Sequence, residues 1–244
     1  MFYLKIVAQS RLQVFGDLHG TERWKTLLDT SADKIIFLGD YVDSHGEISE
    51  MQIVYNLYDL LALKKNYEDK IVLLWGNHDV AYFLPDVFKY VGLHTSNYRS
   101  TLQKLFKSNY EFFQAAYQQK NYLFTHAGLH KRFWQNDLQS EGTDYARMLN
   151  YRFLLEPEIF CKASWYRLGA GDYGSIFWAD KREFVDEHTN LPRPENWLSG
   201  LIQVVGHQPV PEITDCTWQN STMTWLDTWS NHHSDADAVL ELEI

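Results

Sequence analysis

Five short apolar segments, each ending in a residue that can bind a metal, are the feature that most constrains how this chain folds. They end in Gly16-Asp17-Leu18-His19, Gly39-Asp40, Gly76-Asn77-His78, Thr125-His126 and Gly206-His207. In open α/β proteins, ligands bind in the crevice beyond the carboxyl ends of the strands. Five such ends therefore predict one site, assembled from distant parts of the chain.

Strand and helix patterns alternate in the first half of the chain. Strand-like apolar runs cover 12–15, 34–38 and 70–75, and a long helical pattern lies over 47–65. Apolar and aromatic residues recur at roughly helical spacing over 97–117, where we expect another helix. The region after residue 200 has short strand patterns instead. This alternation predicts an α/β fold in which helices pack on the faces of a sheet.

Composition and charge limit the class of protein. The strand ends are spread regularly over positions 17–207 of the 244 residues without a linker-like segment between them, so we expect a single domain over 1–244. The formal net charge of −10 argues against general nucleic-acid binding or binding to an anionic membrane, because both need a basic surface. The two cysteines, Cys161 and Cys216, form no CxxC motif, and we find neither a signal peptide nor a transmembrane run. These features predict a cytoplasmic protein with free thiols.

The residues at the strand ends have the chemistry of a two-metal site. Asp17 and His19, two positions apart on a turn, can converge on one ion. Asp40 follows the next strand, and its two oxygens can bridge cations held about 3.5–4 Å apart. The second ion then needs neutral ligands, which are Asn77, His126 and His207. This mixed oxygen and nitrogen set predicts two divalent cations, with Mn²⁺ favoured and Fe, Zn or Mg as alternatives.

His78 follows the expected ligand Asn77 directly and has a different expected role. If successive side chains alternate, its imidazole lies beside the metals without coordinating them. A group that protonates a leaving alkoxide needs a pKa near neutrality, and a neighbouring carboxylate favours the charged form of histidine. We expect Asp43 to be that carboxylate and His78 to be a general acid.

Five sequence blocks together resemble a known family. They are GDLHG (16–20), GDYVDSHG (39–46), GNHD (76–79), THAG (125–128) and GHQPV (206–210). In this order they resemble the signature blocks of the calcineurin-like metallophosphoesterases, in the branch of phosphoprotein phosphatases and symmetrical diadenosine tetraphosphatases. The resemblance implies a four-layer αββα sandwich, in which helices flank two central mixed β-sheets.

The resemblance also implies roles for single residues. The first metal would be held by Asp17, His19 and Asp40, and the second by Asp40, Asn77, His126 and His207. Asp43 and His78 would form the acid pair. The implied reaction is phosphoester hydrolysis, in which a metal-bridging hydroxide attacks phosphorus while His78 protonates the leaving oxygen.

The sequence departs from the family pattern where phosphate is usually bound. The block that normally reads GDxVDRG has Ser44-His45 where its phosphate-gripping Arg belongs, and the turn is one residue longer. We expect His45 to replace that Arg in part. Arg182 is the expected main phosphate contact, with Arg167 and Arg193 as alternatives.

The favoured function is a protein-phosphatase-like phosphomonoesterase that acts on a phosphorylated substrate. Asp79 stands where protein phosphatases of this branch usually have Glu, so phosphoproteins are not the only candidate substrates. Dinucleoside polyphosphates such as diadenosine tetraphosphate, and nucleotide or RNA-end phosphates, form the alternative enzyme reading. A non-catalytic metal-binding interaction scaffold is the alternative of another class, and the presence of both His78 and Asp43 argues against it.

Overall fold

Two five-stranded sheets form the centre of the protein. The computed structural model describes residues 9–44, 48–89, 98–229 and 239–244. The strands are β1 (Arg11–Phe15), β2 (Lys34–Phe37), β3 (Ile71–Leu74), β4 (Phe113–Gln114), β5 (Ala116–Gln119), β6 (Tyr122–Thr125), β7 (Ile202–Pro209), β8 (Thr214–Trp218), β9 (Ser221–Asp227) and β10 (Val239–Glu243). The α-helices are α1 (Trp24–Leu27), α2 (Glu50–Asn66), α3 (Asn77–Phe83), α4 (Arg99–Ser108), α5 (Tyr145–Leu155) and α6 (Lys181–Phe184).

Both sheets are mixed. The first has the order β10-β1-β2-β3-β4, and the second has the order β5-β6-β7-β9-β8. Strands β1 to β4 are parallel, and β10 joins β1 in the antiparallel direction. In the second sheet β6, β7 and β9 are parallel, whereas the outer strands β5 and β8 are antiparallel to their neighbours. The carboxyl ends of β1, β2 and β3 therefore meet at one edge, as do those of β6 and β7.

The alternation of side chains along the strands produces the layers. Successive residues of a strand point to opposite faces. On β2, Ile36 lies in the apolar cluster between the sheets, whereas Ile35 and Phe37 lie in the cluster that includes the buried face of α2. A third cluster, with Val205 and Trp225, covers the outer face of the second sheet. The predicted four-layer αββα sandwich is confirmed.

Helix α2 covers the first sheet with one apolar face. Ser49 caps its first turn, accepting a hydrogen bond from the Gln52 backbone N–H at 3.3 Å. The residues buried on this helix recur every three or four positions: Ile53, Val54, Asn56, Leu57, Leu60 and Leu61. This spacing is typical of a helix packed against a sheet. The predicted start of the helix, residue 47, lies outside the described residues.

The prediction of one helix over 97–117 was wrong in its second half. Helix α4 ends at Ser108, and the chain then forms β4 and β5, the edge strands of the two sheets. Phe113 stacks on Trp75 with ring centroids 4.4 Å apart, so an aromatic residue at helical spacing is buried by a strand contact instead. Tertiary packing overrides local preference here. Among the described residues, no helix is long and apolar enough to cross a membrane.

Candidate metal centre

The predicted metal ligands lie together at the ends of the strands of both sheets. Asp17, Asp40 and Asn77 follow β1, β2 and β3, while His126 follows β6 and His207 lies near the end of β7. The potential ligand atoms form two groups, each with all its atoms within 4.8 Å of one another. One group consists of Asp17, His19 and Asp40, and the other of Asp40, His126 and His207. The two groups share Asp40.

The predicted ligand Asn77 lies against the two histidines of the second group. Asn77 Oδ1 lies 2.7 Å from His126 Nε2 and 2.9 Å from His207 Nδ1, and the two nitrogens are 3.1 Å apart. His126 Nδ1 lies 2.9 Å from the Leu38 carbonyl oxygen. That nitrogen must therefore carry a proton, so in the neutral imidazole that a metal would bind, the lone pair is on Nε2. With His126 in that form, the three ligand atoms converge on one point, so these residues fit a divalent metal.

The first group is oriented in the same way. His19 Nδ1 lies 3.1 Å from the Val42 carbonyl oxygen, and His19 Nε2 faces Asp17 at 3.8 Å and Asp40 at 3.9 Å. A carbonyl contact on one ring nitrogen fixes the tautomer that a metal requires on the other. Two carboxylates and an imidazole suit a hard or borderline divalent cation.

The ionisable groups of the candidate centre are buried close together and shift one another's pKa values. Burial raises the pKa of Asp17, and the neighbouring carboxylates of Asp227 and Asp40 raise it further. Burial also opposes ionisation of Asp40, but the positive charges of His126 and His78 outweigh it and hold its pKa well below the usual value. Burial lowers the pKa of His126, whereas the charges of Asp40 and Asp17 raise it to about 9. A divalent cation would offset the repulsion between Asp17 and Asp40.

Several of these residues have a strained backbone. His19, Asp40 and His207 have φ angles of 44°, 52° and 64°, in the left-handed region that disfavours side chains with a Cβ. Such residues cost of order 1–3 kcal/mol each and persist only when their surroundings impose them. At Asp40 the restraint comes from Asp79, whose carboxylate accepts the backbone N–H groups of Asp40 at 2.7 Å, Tyr41 at 3.0 Å and Gly76 at 3.0 Å.

The glycines before the ligands are required by close packing. A Cβ on Gly76 would lie 2.2 Å from both the backbone nitrogen and Oδ1 of Asp40. A Cβ on Gly206 would lie 2.1 Å from Asp17 Oδ1. At Gly76 and Gly206 the glycine-ligand pattern of the sequence thus has a steric cause, because the backbone there lies against the predicted ligand of another strand end.

The expected acid pair lies beside this centre. His78 Nδ1 is 2.9 Å from Asp43 Oδ2, and His78 Nε2 is 4.0 Å from Asp40 Oδ2. Tyr82 donates its hydroxyl to Asp43 Oδ1 at 2.6 Å. Burial lowers the pKa of His78, but the charges of Asp40 and Asp43 outweigh it and raise the pKa above the ordinary value. His78 therefore presents one ring nitrogen to a carboxylate and the other to the metal ligands.

The chain as a whole matches one known family. A family model described as calcineurin-like phosphoesterase matches residues 10–240, which contain both sheets up to β10 and every predicted ligand. The chain belongs to the calcineurin-like phosphoesterase family.

Known members of this and related groups resemble the chain to different extents. The serine/threonine-protein phosphatase 2B catalytic subunit A2 of Saccharomyces cerevisiae is 30% identical over 207 residues, which cover 80% of this chain but 29% of that protein. The chain thus spans less than a third of the length of this curated relative. Among solved structures, the cold-active protein-tyrosine phosphatase of a psychrophilic Shewanella species matches with a TM-score of 0.60 and 16% identity, over 96% of this chain and 75% of that chain. At this identity the likeness concerns the fold alone.

In this calcineurin-like phosphoesterase, the side chains predicted to bind phosphate differ in the residues that they contact. His45 lies outside the described residues. Arg182 Nε lies 2.8 Å from Asp180 Oδ1, and its guanidinium carbon is 4.4 Å from the centre of the Tyr166 ring. Arg167 donates from Nη2 to Gln208 Oε1 at 2.7 Å, and Gln208 directly follows the predicted ligand His207. Of Arg167 and Arg182, Arg167 thus has the more direct connection to the candidate metal centre.

Asp227 and Asp79 are two residues whose roles were not predicted from the sequence. Asp227 is 1% exposed at the end of β9, close enough to Asp17 to raise the pKa of that carboxyl. Asp227 follows the apolar run Met-Thr-Trp-Leu, so this strand also ends in a residue that can bind a metal, but without a glycine before it. The restraining role of Asp79 had no comparable signal, since it depends on distances between strands.

Replacing Gly76 with alanine is expected to displace Asp40 and to weaken metal binding. The added methyl would overlap Asp40, and overpacking of this kind costs about 1–3 kcal/mol of stability. We also expect about a 10–100-fold loss of metal affinity, since groups that orient metal ligands have effects of this size. Metal titration and thermal unfolding of the variant measure both effects. Gly171→Ala is the control, because its nearest contact would be 3.2 Å and its neighbours, Tyr173, Lys162 and Ala163, are not predicted ligands. Equal metal affinity in the two variants would contradict the steric explanation.

Proposed function

We propose that this chain is a dinuclear metal-dependent phosphoester hydrolase, and in particular a protein-phosphatase-like phosphomonoesterase. The observation that carries the proposal is the sharing of Asp40 by two ligand groups, with the His78–Asp43 pair beside them. A shared carboxylate is the arrangement expected when two cations lie about 3.5–4 Å apart. The proposal includes a single domain over 1–244, a cytoplasmic location and a phosphorylated substrate as the partner.

Bound cations would polarise the phosphate oxygens and activate a water for in-line attack, which is the chemistry that two-metal sites supply. Side chains beside the candidate metal centre position the proton donor. Asp43 holds the His78 ring through Nδ1 at 2.9 Å, and Tyr82 holds Asp43 from the other side at 2.6 Å. His78 Nε2 is thereby directed towards the metal ligands, where a proton can pass to the leaving oxygen. Mn²⁺ is the proposed first metal for assays, with Fe, Zn and Mg as alternatives.

A substrate panel tests the proposed function. The protein is loaded with Mn²⁺, Zn²⁺, Fe²⁺ or Mg²⁺ in turn and assayed with a phosphoserine peptide, diadenosine tetraphosphate and a 2′,3′-cyclic nucleotide. Preference for the peptide supports the phosphatase reading, and turnover of either nucleotide substrate instead would replace it. A protein that binds two metal ions per chain but hydrolyses none of these esters, nor an aryl phosphate, would have to be regarded as a metal-binding scaffold.

Arg167 and Arg182 are both candidates for the phosphate contact, and their contacts favour Arg167. Its Nε lies 2.8 Å from Asp180 Oδ2 without the alignment of a hydrogen bond, and its Nη2 reaches Gln208. Asp180 is almost fully buried and also pairs with Arg182, whose Nη2 donates to Asp180 Oδ2 at 3.1 Å. Asp180 therefore anchors both guanidinium groups, but Arg167 alone of the two contacts a residue adjacent to His207.

Arg167→Ala is expected to lower kcat/KM for every phosphomonoester by about 10–100-fold, the effect of removing one charged hydrogen bond. Arg182→Ala is the matched control, because it removes the other guanidinium bound to the same carboxylate, and we expect it to change kcat/KM by less than about threefold. Inhibition by inorganic phosphate is measured in parallel and is expected to weaken in Arg167→Ala only. The opposite order of the two variants would assign the phosphate contact to Arg182.

A further inference from the structure

Two apolar side chains are exposed on the turn that carries Arg167. We define the 165–168 turn as Trp165, Tyr166, Arg167 and Leu168. Trp165 is 59% exposed and Leu168 is fully exposed, at 100%. Single exposed apolar residues need no explanation, but apolar groups clustered beside a site often mark a binding surface.

The 165–168 turn is held rigidly. The Trp165 backbone N–H donates to the Gly171 carbonyl at 2.9 Å, and the Gly169 N–H donates to the Ser164 carbonyl at 2.8 Å. Leu168 has a φ angle of 62°, in the left-handed region. A branched side chain in this conformation costs energy, and Leu168 recovers none of it by burial. The backbone that carries the exposed apolar groups is therefore hydrogen-bonded in one conformation, at a cost to folding at Leu168.

The aromatic part of the turn is a preformed stack. The rings of Trp165 and Tyr166 are 3.8 Å apart between centroids, with an angle of 29° between their planes. The Arg182 guanidinium carbon lies 4.4 Å from the Tyr166 ring centre, which adds a cation to the same stack. Trp165 is the member of this stack that solvent reaches most, and its ring can accept a further flat group.

The turn is joined to the metal centre through Arg167. That side chain contacts Gln208, which follows the ligand His207, and Asp180. Other exposed aromatic residues, such as Tyr58 on α2 and Tyr151 on α5, are on helix surfaces and have no contact of this kind with the centre in the described part of the chain. Of these exposed rings, Trp165 is the one on a turn whose arginine contacts the neighbour of a predicted metal ligand.

We propose that the 165–168 turn is a specificity site, at which Trp165 stacks on a flat aromatic ring of the substrate while its phosphate group lies at the metal centre. The inference rests on the proposed function, because it assumes that the centre binds a phosphoester. The ring is either a nucleobase or the phenol ring of phosphotyrosine, which present the same flat π-face.

Binding of three small phosphomonoesters to the Mn²⁺-loaded protein tests the inference by calorimetry. Adenosine monophosphate carries a nucleobase, O-phosphotyrosine carries a phenol ring, and O-phosphoserine carries no ring. We expect one of the first two to bind about tenfold more tightly than O-phosphoserine, as stacking on an aromatic side chain allows. Trp165→Ala should remove this preference and leave O-phosphoserine binding within about twofold, whereas Trp165→Phe should retain most of it.

Tyr58→Ala is the matched control, since it removes an exposed ring from α2 and should leave all three affinities unchanged. Equal binding of the three compounds to the wild-type protein, or a preference that persists in Trp165→Ala, would overturn the inference. Hydrolysis of the same compounds is then measured separately. A ring preference in binding, without hydrolysis by any metal form, would support the stacking site and contradict the proposed function. Hydrolysis without a ring preference in binding would support the proposed function and contradict the stacking site.

Discussion

Replacing Asp40 with asparagine is expected to lower kcat by about a thousandfold or more, together with loss of at least one bound metal ion. Asp40 belongs to both ligand groups, and its Oδ2 lies 3.4 Å from His126 Nε2 and 3.9 Å from His19 Nε2. Asparagine has the same shape but brings no negative charge, so two cations would be held close together without the shared anion that offsets their repulsion. Elemental analysis of the purified variant and steady-state kinetics with added Mn²⁺ measure the two effects.

The fold of the variant must be checked alongside its activity. Asp40 Oδ1 accepts the His78 backbone N–H at 2.9 Å, and the asparagine side-chain oxygen can keep that bond. We therefore expect the unfolding transition of the metal-free variant to resemble that of the metal-free wild type. Asp215→Asn, an exposed carboxylate on β8, is the matched control and should keep both metal and activity. Two bound ions and an unchanged kcat in Asp40→Asn would show that Asp40 is not a shared ligand.

The sheet architecture was predictable where strands are short, apolar and ended by glycine. The expected strands at 34–38 and 70–75 correspond to Lys34–Phe37 and Ile71–Leu74, because buried parallel strands are almost continuously apolar. The helix prediction over 97–117 was wrong in its second half because the same aromatic spacing suits both a helix and a strand at a sheet edge. Phe113 illustrates this, since its burial against Trp75 depends on where β3 lies and not on neighbours in sequence.

The residues of the candidate site were more predictable from the sequence than the contacts that hold them in place. Parallel strands bring their carboxyl ends to one edge, so the sequence could indicate that Asp17, Asp40 and Asn77 converge. It could not indicate that Asp79 fixes the Asp40 turn through three backbone N–H groups, because that contact joins the ends of two strands. The choice between Arg167 and Arg182 had the same obstacle, since both contact Asp180 and differ in what lies on the other side.

His78→Ala is expected to lower kcat about 10²–10⁴-fold on a phosphoserine peptide and much less on 4-nitrophenyl phosphate. The serine alkoxide is a poor leaving group and needs a proton as the bond breaks, whereas nitrophenolate leaves without one. Asp43 fixes the His78 ring at 2.9 Å, so Asp43→Asn should show the same substrate dependence with a smaller loss. The measurement is kcat for both esters in each variant, at saturating Mn²⁺ and with the metal content determined.

Two controls separate proton donation from metal binding. His188→Ala removes a histidine that is 85% exposed, and it should leave both esters unaffected. Tyr82→Phe removes the hydroxyl that donates to Asp43 at 2.6 Å but keeps the buried ring, so it should reduce peptide hydrolysis modestly without loss of metal. If His78→Ala lowered the two rates equally at unchanged metal content, the imidazole would not be the proton donor, because loss of a proton donor slows departure of the more basic leaving group more. The ratio of the two rates, and not the size of either loss, therefore decides the role of His78.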